Sequence, residues 1–213
     1  MVMGRVRRSF IKVGDDLAID FANTAGTDAD SARALRSWRD LVDFLELRSA
    51  VSRSEGRALR RMGEEDARAC GAALGQAVAL RETIRQALEA MATRRPLQAS
   101  WVAAFNQALV WGAGSARLER QGRGWQLGFA PSWADPSRAL APIARSMVDL
   151  AVRSRGVEIR KCANPLCTLY FRDRSRSRRR RWCSMAVCGN RMKVAAHARR
   201  HGRRQRPGTR RGV

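Results

Sequence analysis

The spacing of apolar residues along the chain predicts a mainly helical body. Apolar side chains recur at three- and four-residue intervals over 35–45, 73–91, 101–109 and 140–151. This is the spacing of residues that share one face of an α-helix. A longer helical stretch over 64–93 contains the second of these runs, and its two glycines, Gly71 and Gly75, are candidate breaks near its start.

Start signals for helices precede several of these apolar runs. Ser31 is placed to cap the first helix, and Ser52 with Glu55 has the form of a capping box for the next one. Pro96 is expected to open the helix over 101–109, and the Asp-Pro pair at Asp135 is expected to start the last helix of the body.

Alternating patterns predict small β-hairpins between the helices. Residues 9–13 and 17–21 flank a Gly-Asp-Asp turn, and residues 117–120 and 125–129 flank a Gln-Gly-Arg-Gly turn. Two further short strands are expected near the C-terminus, over 169–171 and 181–182.

The charge of the chain is concentrated in its last third. Residues 151–213 hold 20 of the 42 Lys and Arg residues but only two of the 19 Asp and Glu residues, Glu158 and Asp173. A cationic segment beside a balanced body favours an anionic partner, with nucleic acid ahead of a membrane surface. The sequence has no apolar run of about 18 residues and no signal-peptide core. We therefore expect a cytoplasmic, nucleoid-associated protein that does not enter a membrane.

Four cysteines within this basic segment have the spacing of a metal site. Cys162, Cys167, Cys183 and Cys188 form two C-x4-C pairs separated by fifteen residues. Two such pairs are typical of one tetrahedral zinc ion, and the alternative of two disulfides is disfavoured in a reducing compartment. Four cysteine ligands leave no position for a substrate, so we expect one structural zinc rather than a catalytic one.

These patterns together predict the fold class and the domains. The fold is expected to be mainly α with small β-hairpins, and the turn, hairpin and helix around the cysteines suggest a treble-clef-like zinc finger with four cysteine ligands. We expect a helical N-terminal domain over 1–155, the finger over 156–201 and a disordered basic tail over 202–213. The Gly, Pro and Arg content of that tail offers nothing to bury.

Basic residues around the cysteines are candidates for nucleic-acid contacts. The run over 174–181 is typical of a flexible loop that contacts phosphates, and the helix after Cys188 places basic side chains on one face. A solvated cationic face is the alternative. The candidates are Arg178, Arg179, Arg180, Arg181, Arg191, Lys193, His197, Arg200 and Arg204.

The segment RRWCSMAVCGNRMKVAAHARR closely resembles the CGNR zinc-finger proteins of bacteria, with the tetrapeptide CGNR beginning at Cys188 and CANPLCTLYF as the first knuckle. The stretch LAIDFANT, from Leu17, is similar to the LxxDFxNT-type motif of the ABATE domain, and APIARS, from Ala141, resembles its last helix. These proteins are described as stress-induced transcription regulators, so the resemblance implies DNA binding. The Arg-rich linker between the cysteine pairs departs from the milder composition of the family, which implies stronger nonspecific phosphate binding.

Polar residues of the N-terminal domain are candidates for a ligand pocket. Asp20 lies near the end of a predicted strand and Asn23 follows it, while Arg81 and Arg145 lie on otherwise apolar helices and are candidates to meet an anionic effector. The alternative is that these side chains satisfy backbone groups or carboxylates within the fold. No catalytic triad, phosphate loop or pair of catalytic carboxylates is recognisable, so we expect no enzyme activity.

Three functions remain open from the sequence. The first is a DNA-binding transcription regulator whose N-terminal domain senses a small-molecule effector or forms a homodimer. The second is an RNA- or ribosome-associated zinc-binding protein. The third is a ligand- or protein-interaction module whose tail is nonspecifically cationic.

Overall fold

The computed structural model describes residues 10, 13, 16–25, 35–111, 115–122, 124–130, 135–153 and 158–204. Within these ranges the fold is mainly helical with two small antiparallel sheets, as predicted. The helices are α1 Leu17–Ala22, α2 Trp38–Leu47, α3 Arg53–Glu65, α4 Ala67–Ala92, α5 Ala99–Trp111, α6 Ala141–Val152 and α7 Asn190–Arg204, and the strands are β1 Ser115–Gln121, β2 Gly124–Ala130, β3 Ile159–Lys161 and β4 Tyr170–Arg172. Over the same ranges, no helix combines the length and the apolar composition that crossing a membrane requires.

The six-residue helix α1 occupies the centre of the body, where it packs against α4 and α6. Its residues Ala18, Ile19, Phe21 and Ala22 are all fully buried. The strand predicted over 17–21 is therefore wrong. A short apolar run that is buried on every side does not distinguish a strand from a helix, because neither side of it faces water. Most of the predicted partner strand, over 9–13, lies outside the described residues.

Local capping residues set where the next two helices begin. Ser37 caps α2, and its side chain and that of Asp40 form a reciprocal capping box. Because this box precedes Trp38, α2 starts there, and the predicted cap, Ser31, lies outside the described residues. The predicted capping box of Ser52 and Glu55 is present at the start of α3.

The long helical stretch divides at Asp66 rather than at a glycine. The Asp66 side chain accepts a hydrogen bond of 2.8 Å from the Ala69 backbone N–H and so caps α4. Gly71 and Gly75 both lie inside α4, where a glycine costs only about 1 kcal/mol relative to alanine. A side chain that satisfies the free N–H groups of a new helix therefore decides the break. The helix predicted to open at Pro96 begins three residues later, because α5 starts at Ala99.

The apolar face of α4 supplies the centre of the core. Ala77, Ile84 and Leu88 on this face are fully buried. A 3-10 helix, Pro136–Leu140, is capped by Asp135 and leads into α6, which adds Ile143 and Met147 to the same core. The predicted hairpin is present as β1 paired antiparallel with β2.

The C-terminal module joins this body through a two-stranded sheet. Strand β3 pairs antiparallel with β4, so that Ile159 lies opposite Arg172. The strand predicted over 181–182 is absent from the described sheets. Instead, the Arg181 carbonyl accepts one hydrogen bond of 2.9 Å from the Ala163 N–H. A π-helical turn, Met185–Gly189, then leads into α7.

Helix α7 reaches Arg204 and so includes the first residues of the predicted tail. Residues 205–213 lie outside the described part of the chain.

Candidate metal centre and basic surface

The four predicted cysteines converge on one point. The sulfur atoms of Cys162, Cys167, Cys183 and Cys188 all lie within 4.8 Å of one another. The Sγ of Cys183 is 3.8 Å from that of Cys167 and 3.6 Å from that of Cys188. A tetrahedral ion with metal–sulfur bonds of about 2.3 Å requires sulfur separations of about 3.8 Å, whereas a disulfide requires about 2.0 Å. The arrangement therefore fits a zinc finger and excludes disulfides between these cysteines.

Polar groups around the sulfurs suit thiolate ligands. The Asn164 Nδ2 donates a hydrogen bond of 3.5 Å to the Cys188 Sγ, and the Cys183 backbone N–H donates one of 3.5 Å to the Cys162 Sγ. The Asn164 Oδ1 also accepts a hydrogen bond of 3.1 Å from the Leu166 N–H, which shapes the turn between the first two cysteines. Outer groups of this kind orient the ligands and stabilise their negative charge.

The thiols influence one another's ionisation strongly. A hydrogen bond from the Cys183 thiol lowers the pKa of Cys167 to about 5. The same contact to Cys167, together with burial, raises the pKa of Cys183, and burial raises the pKa of Cys162. The neighbouring thiols therefore stabilise a thiolate at Cys167, whereas burial disfavours thiolates at Cys162 and Cys183 unless a cation lies beside them.

The turn before α7 is closely packed around a glycine. A Cβ atom on Gly189 would lie 2.6 Å from the Met185 Sδ and 3.2 Å from the Trp182 Cδ1. The Gly189 N–H also donates a hydrogen bond of 2.9 Å to the Ser184 carbonyl. Glycine at this position of the CGNR tetrapeptide therefore leaves room for the Met185 and Trp182 side chains to pack against the turn.

The arginine-rich segment between the cysteine pairs is organised by one carboxylate. The Asp173 side chain is fully buried and accepts hydrogen bonds from the Ser175 N–H at 3.0 Å, the Ser175 hydroxyl at 2.6 Å and the Arg180 N–H at 2.8 Å. Burial alone would raise the pKa of Asp173, but these hydrogen bonds and the Arg160 charge outweigh it and lower the pKa. Asp173 was not among the predicted site residues.

The predicted nucleic-acid residues divide into inward and outward groups. Arg180 is half-buried, and its guanidinium lies 4.6 Å from the Phe171 ring centroid and donates to the carbonyls of Trp182, at 2.9 Å, and Cys183. The exposed candidates are Arg178, Arg179, Arg181, Arg191, Lys193 and His197. Arg200 and Arg204 belong to α7, and their side chains lie outside the described part of the structure.

Two of the predicted pocket residues, Asp20 and Asn23, form contacts that hold the fold together. Asp20 contacts other residues of the body, and Asn23 contacts the finger. Asp20 is 1% exposed, forms an ion pair with Arg48 and accepts a 3.2 Å hydrogen bond from the Val13 N–H. Asn23 is 2% exposed and forms two hydrogen bonds of 2.9 Å with the backbone N–H and carbonyl of Tyr170 in β4. Both residues belong to α1 or follow it directly, rather than following a strand.

The other two pocket residues are separate from this pair. The Arg81 guanidinium donates to the backbone and hydroxyl oxygens of Thr24, at 3.4 and 3.3 Å, and burial lowers its pKa. Arg145 is exposed on α6 and pairs with Asp149 at 3.4 Å. A cavity of about 140 Å³ does lie between α1, α6 and β4, but its described lining includes none of the four candidates. Its lining is Asp16, Leu17, Ser146, Asp149, Leu150, Arg153 and Arg172.

The Tyr170 side chain forms a second connection between the finger and the body, and it was not among the predicted site residues. Its hydroxyl donates a hydrogen bond of 2.6 Å to the Glu89 carboxylate on α4, and Lys161 lies 3.4 Å from the same carboxylate. Burial and the Glu89 contact raise the pKa of Tyr170, and the hydrogen bond lowers the pKa of Glu89. No pattern in the sequence around Tyr170 indicates that its hydroxyl would bond to Glu89, which lies 81 positions away.

Two family models match this chain. One, for the ABATE family, has the description "Putative stress-induced transcription regulator" and matches residues 15–154. The other, the CGNR zinc finger, matches residues 158–201 and includes all four clustered cysteines. Comparison with curated proteins finds no match. The two matched ranges agree with the resemblance seen in the sequence.

Proposed function

This chain belongs to the ABATE family, and from that premise we propose that it is a DNA-binding regulator of transcription that acts through a zinc finger. The observation that carries the proposal is the charge of the finger. Over 158–204 the sequence has 15 Lys and Arg residues and two acidic residues, Asp173, which is buried, and Glu158, which pairs with Arg94 and Arg160. The exposed charge of this segment is therefore cationic, and such a surface attracts a phosphate backbone.

Zinc is the metal that we infer for the cysteine cluster. Four thiolates at tetrahedral spacing are a common zinc site, and the family description supports the same ion. Cys162, Cys167, Cys183 and Cys188 would hold it with no position left for a substrate. The bound ion would fix the two knuckles and the start of α7, so its contribution is structural.

Helix α7 is the element that we propose to meet the double helix. Its exposed side chains Arg191, Lys193 and His197 lie just beyond the π-helical turn that carries Cys188. An α-helix fits the width of the major groove, and a zinc site at its start fixes its direction.

The helical body is proposed to sense an effector or to form a homodimer. Its α1 and α4 contact the finger directly through Asn23 and Glu89. A change in the body would therefore reach β4 without an intervening linker.

Binding to defined nucleic acids tests the proposal. The full chain loaded with zinc is titrated into labelled duplex DNA, structured RNA and heparin at several salt concentrations, and the anisotropy is measured. We expect duplex DNA to bind most tightly, with log K falling by about 0.9 per phosphate contact for each unit of log salt. Preference for RNA would favour an RNA- or ribosome-associated role, and equal binding to heparin would favour a nonspecific cationic module.

Genome-wide DNA capture tests regulation at defined sites. We expect discrete sites for the wild-type chain and their loss in Cys183→Ser, because that variant lacks one metal ligand. Cys70→Ala is the matched control, since Cys70 is buried in the helical body and belongs to no metal cluster within the described chain. The same sites in Cys183→Ser, or none in the wild type, would contradict the proposal.

A further inference from the structure

Hydrogen bonds within the finger hold the loop between the two cysteine pairs in a defined shape. Asp173 stands at its base, and one carboxylate receives hydrogen bonds from Ser175 near the start and from Arg180 near the end. The Arg178 N–H also donates 3.0 Å to the Ser175 carbonyl, closing a turn within the loop. The residues between these anchors are held at the surface.

A second arginine from outside the loop reinforces this shape. Arg160, in β3, places its Nε 3.3 Å from the Asp173 carboxylate and donates from Nη2 to the Arg178 carbonyl at 2.6 Å. Arg178 itself has a φ of 47°, in the left-handed region that a non-glycine residue adopts only when its surroundings hold it there. Asp173 at the base of the loop and Arg160 in β3 therefore both stabilise this conformation of the loop.

We propose that this loop is a preformed phosphate-binding surface for the DNA backbone and that Asp173 is its positioning residue. The inference rests on the proposed DNA-binding function. Inward-facing Arg160 and Arg180 support the loop, while outward-facing Arg176 and Arg179 contact phosphates. A preformed surface binds more tightly than a flexible one of equal charge, because less conformational entropy is lost on binding.

The substitution Asp173→Asn distinguishes an effect of charge from an effect of loop positioning, because the two predict opposite changes in the affinity for DNA. Asp173→Asn removes a negative charge beside a surface for a polyanion, so charge alone predicts tighter DNA binding. Positioning predicts weaker binding, because an amide cannot accept all three hydrogen bonds and cannot pair with Arg160. We expect the affinity for duplex DNA to fall about tenfold and the salt slope to decrease by about one phosphate contact.

A pair of serine variants tests the same idea without changing the charge. Ser175→Ala removes the 2.6 Å hydrogen bond to Asp173, whereas Ser177→Ala alters an exposed serine of the same loop. We expect Ser175→Ala to weaken duplex binding about threefold and Ser177→Ala to leave it unchanged. Zinc content and the thermal unfolding midpoint are measured for every variant, and the serine pair decides the matter if Asp173→Asn loses its metal.

The outcomes separate this inference from the function on which it rests. A zinc-loaded wild-type chain that does not bind duplex DNA overturns the proposed function. Wild-type binding combined with equal or tighter binding by zinc-loaded Asp173→Asn, or with equal effects of the two serine variants, overturns the role of Asp173. Weaker binding by Asp173→Asn and Ser175→Ala, with zinc retained, supports it.

Discussion

The Asn23 side chain and the Tyr170 backbone exchange two hydrogen bonds of 2.9 Å across 147 positions of the sequence. Asn23 lies at the end of α1, and its side-chain amide forms with Tyr170 the pair of hydrogen bonds that a neighbouring strand would form with β4. Both groups are buried, so neither can turn to water when its partner is lost. This contact fixes the finger to the helical body.

Removal of the Asn23 amide is expected to destabilise the whole chain. In Asn23→Ala the buried N–H and carbonyl of Tyr170 lose their partners, at a cost of about 2–4 kcal/mol in the free energy of unfolding. Chemical denaturation of the zinc-loaded protein measures this loss. Asn106→Ala is the matched control because Asn106 is exposed on α5, and a comparable loss in both variants would contradict the role of Asn23.

The single tyrosine of the chain provides a spectroscopic probe of the same interface. Burial and the hydrogen bond to Glu89 raise the pKa of Tyr170 above its ordinary value of about 10. We expect tyrosinate absorbance to appear above that pH in the folded protein and at a lower pH in Glu89→Gln. Glu64→Gln, on the exposed side of α3, should titrate as the wild type does.

The raised pKa of Tyr170 also predicts how stability depends on pH. Because the folded state favours the neutral phenol, this contribution is fully present below pH of about 10 and is lost as pH rises toward the folded-state pKa. The unfolding midpoint should therefore fall on the alkaline side, and less so in Tyr170→Phe. An equal alkaline decline in both proteins would contradict this assignment.

Arg179 and Arg180 are adjacent in sequence but are expected to have different roles. Arg179 is exposed, so Arg179→Ala should lower the slope of log K against log salt by about 0.9 and leave the unfolding midpoint unchanged. Arg180 stacks on Phe171 and bonds two carbonyls, so Arg180→Ala should cost about 1–3 kcal/mol of stability. Salt titrations and thermal unfolding of both variants separate the two effects, and identical behaviour would contradict the division.

The parts of the site that depend on residue type and spacing were predictable from the sequence. Thiolate ligation requires cysteines at short intervals, so Cys162 to Cys188 could be recognised without a structure. The place of Asp173 depends on where its carboxylate points, and the pairing of Asn23 with Tyr170 depends on two distant segments that meet only after folding. Helix α1 was mistaken for a strand because burial on all sides removes the periodicity on which such predictions depend.

Asn164 is expected to adjust the affinity of the cysteine cluster for its metal. Its side chain donates to the Cys188 Sγ and accepts from the Leu166 N–H, so it both stabilises a ligand and shapes the first knuckle. Asn164→Ala should weaken zinc binding about 10- to 100-fold, as found for outer-shell partners of metal ligands. Competition with a chelating dye measures this affinity, and the reactivity of the four thiols after chelation provides a second readout. Asn106→Ala should bind zinc as the wild type does, whereas unchanged zinc affinity in Asn164→Ala would show that the knuckle holds the ligand without this amide.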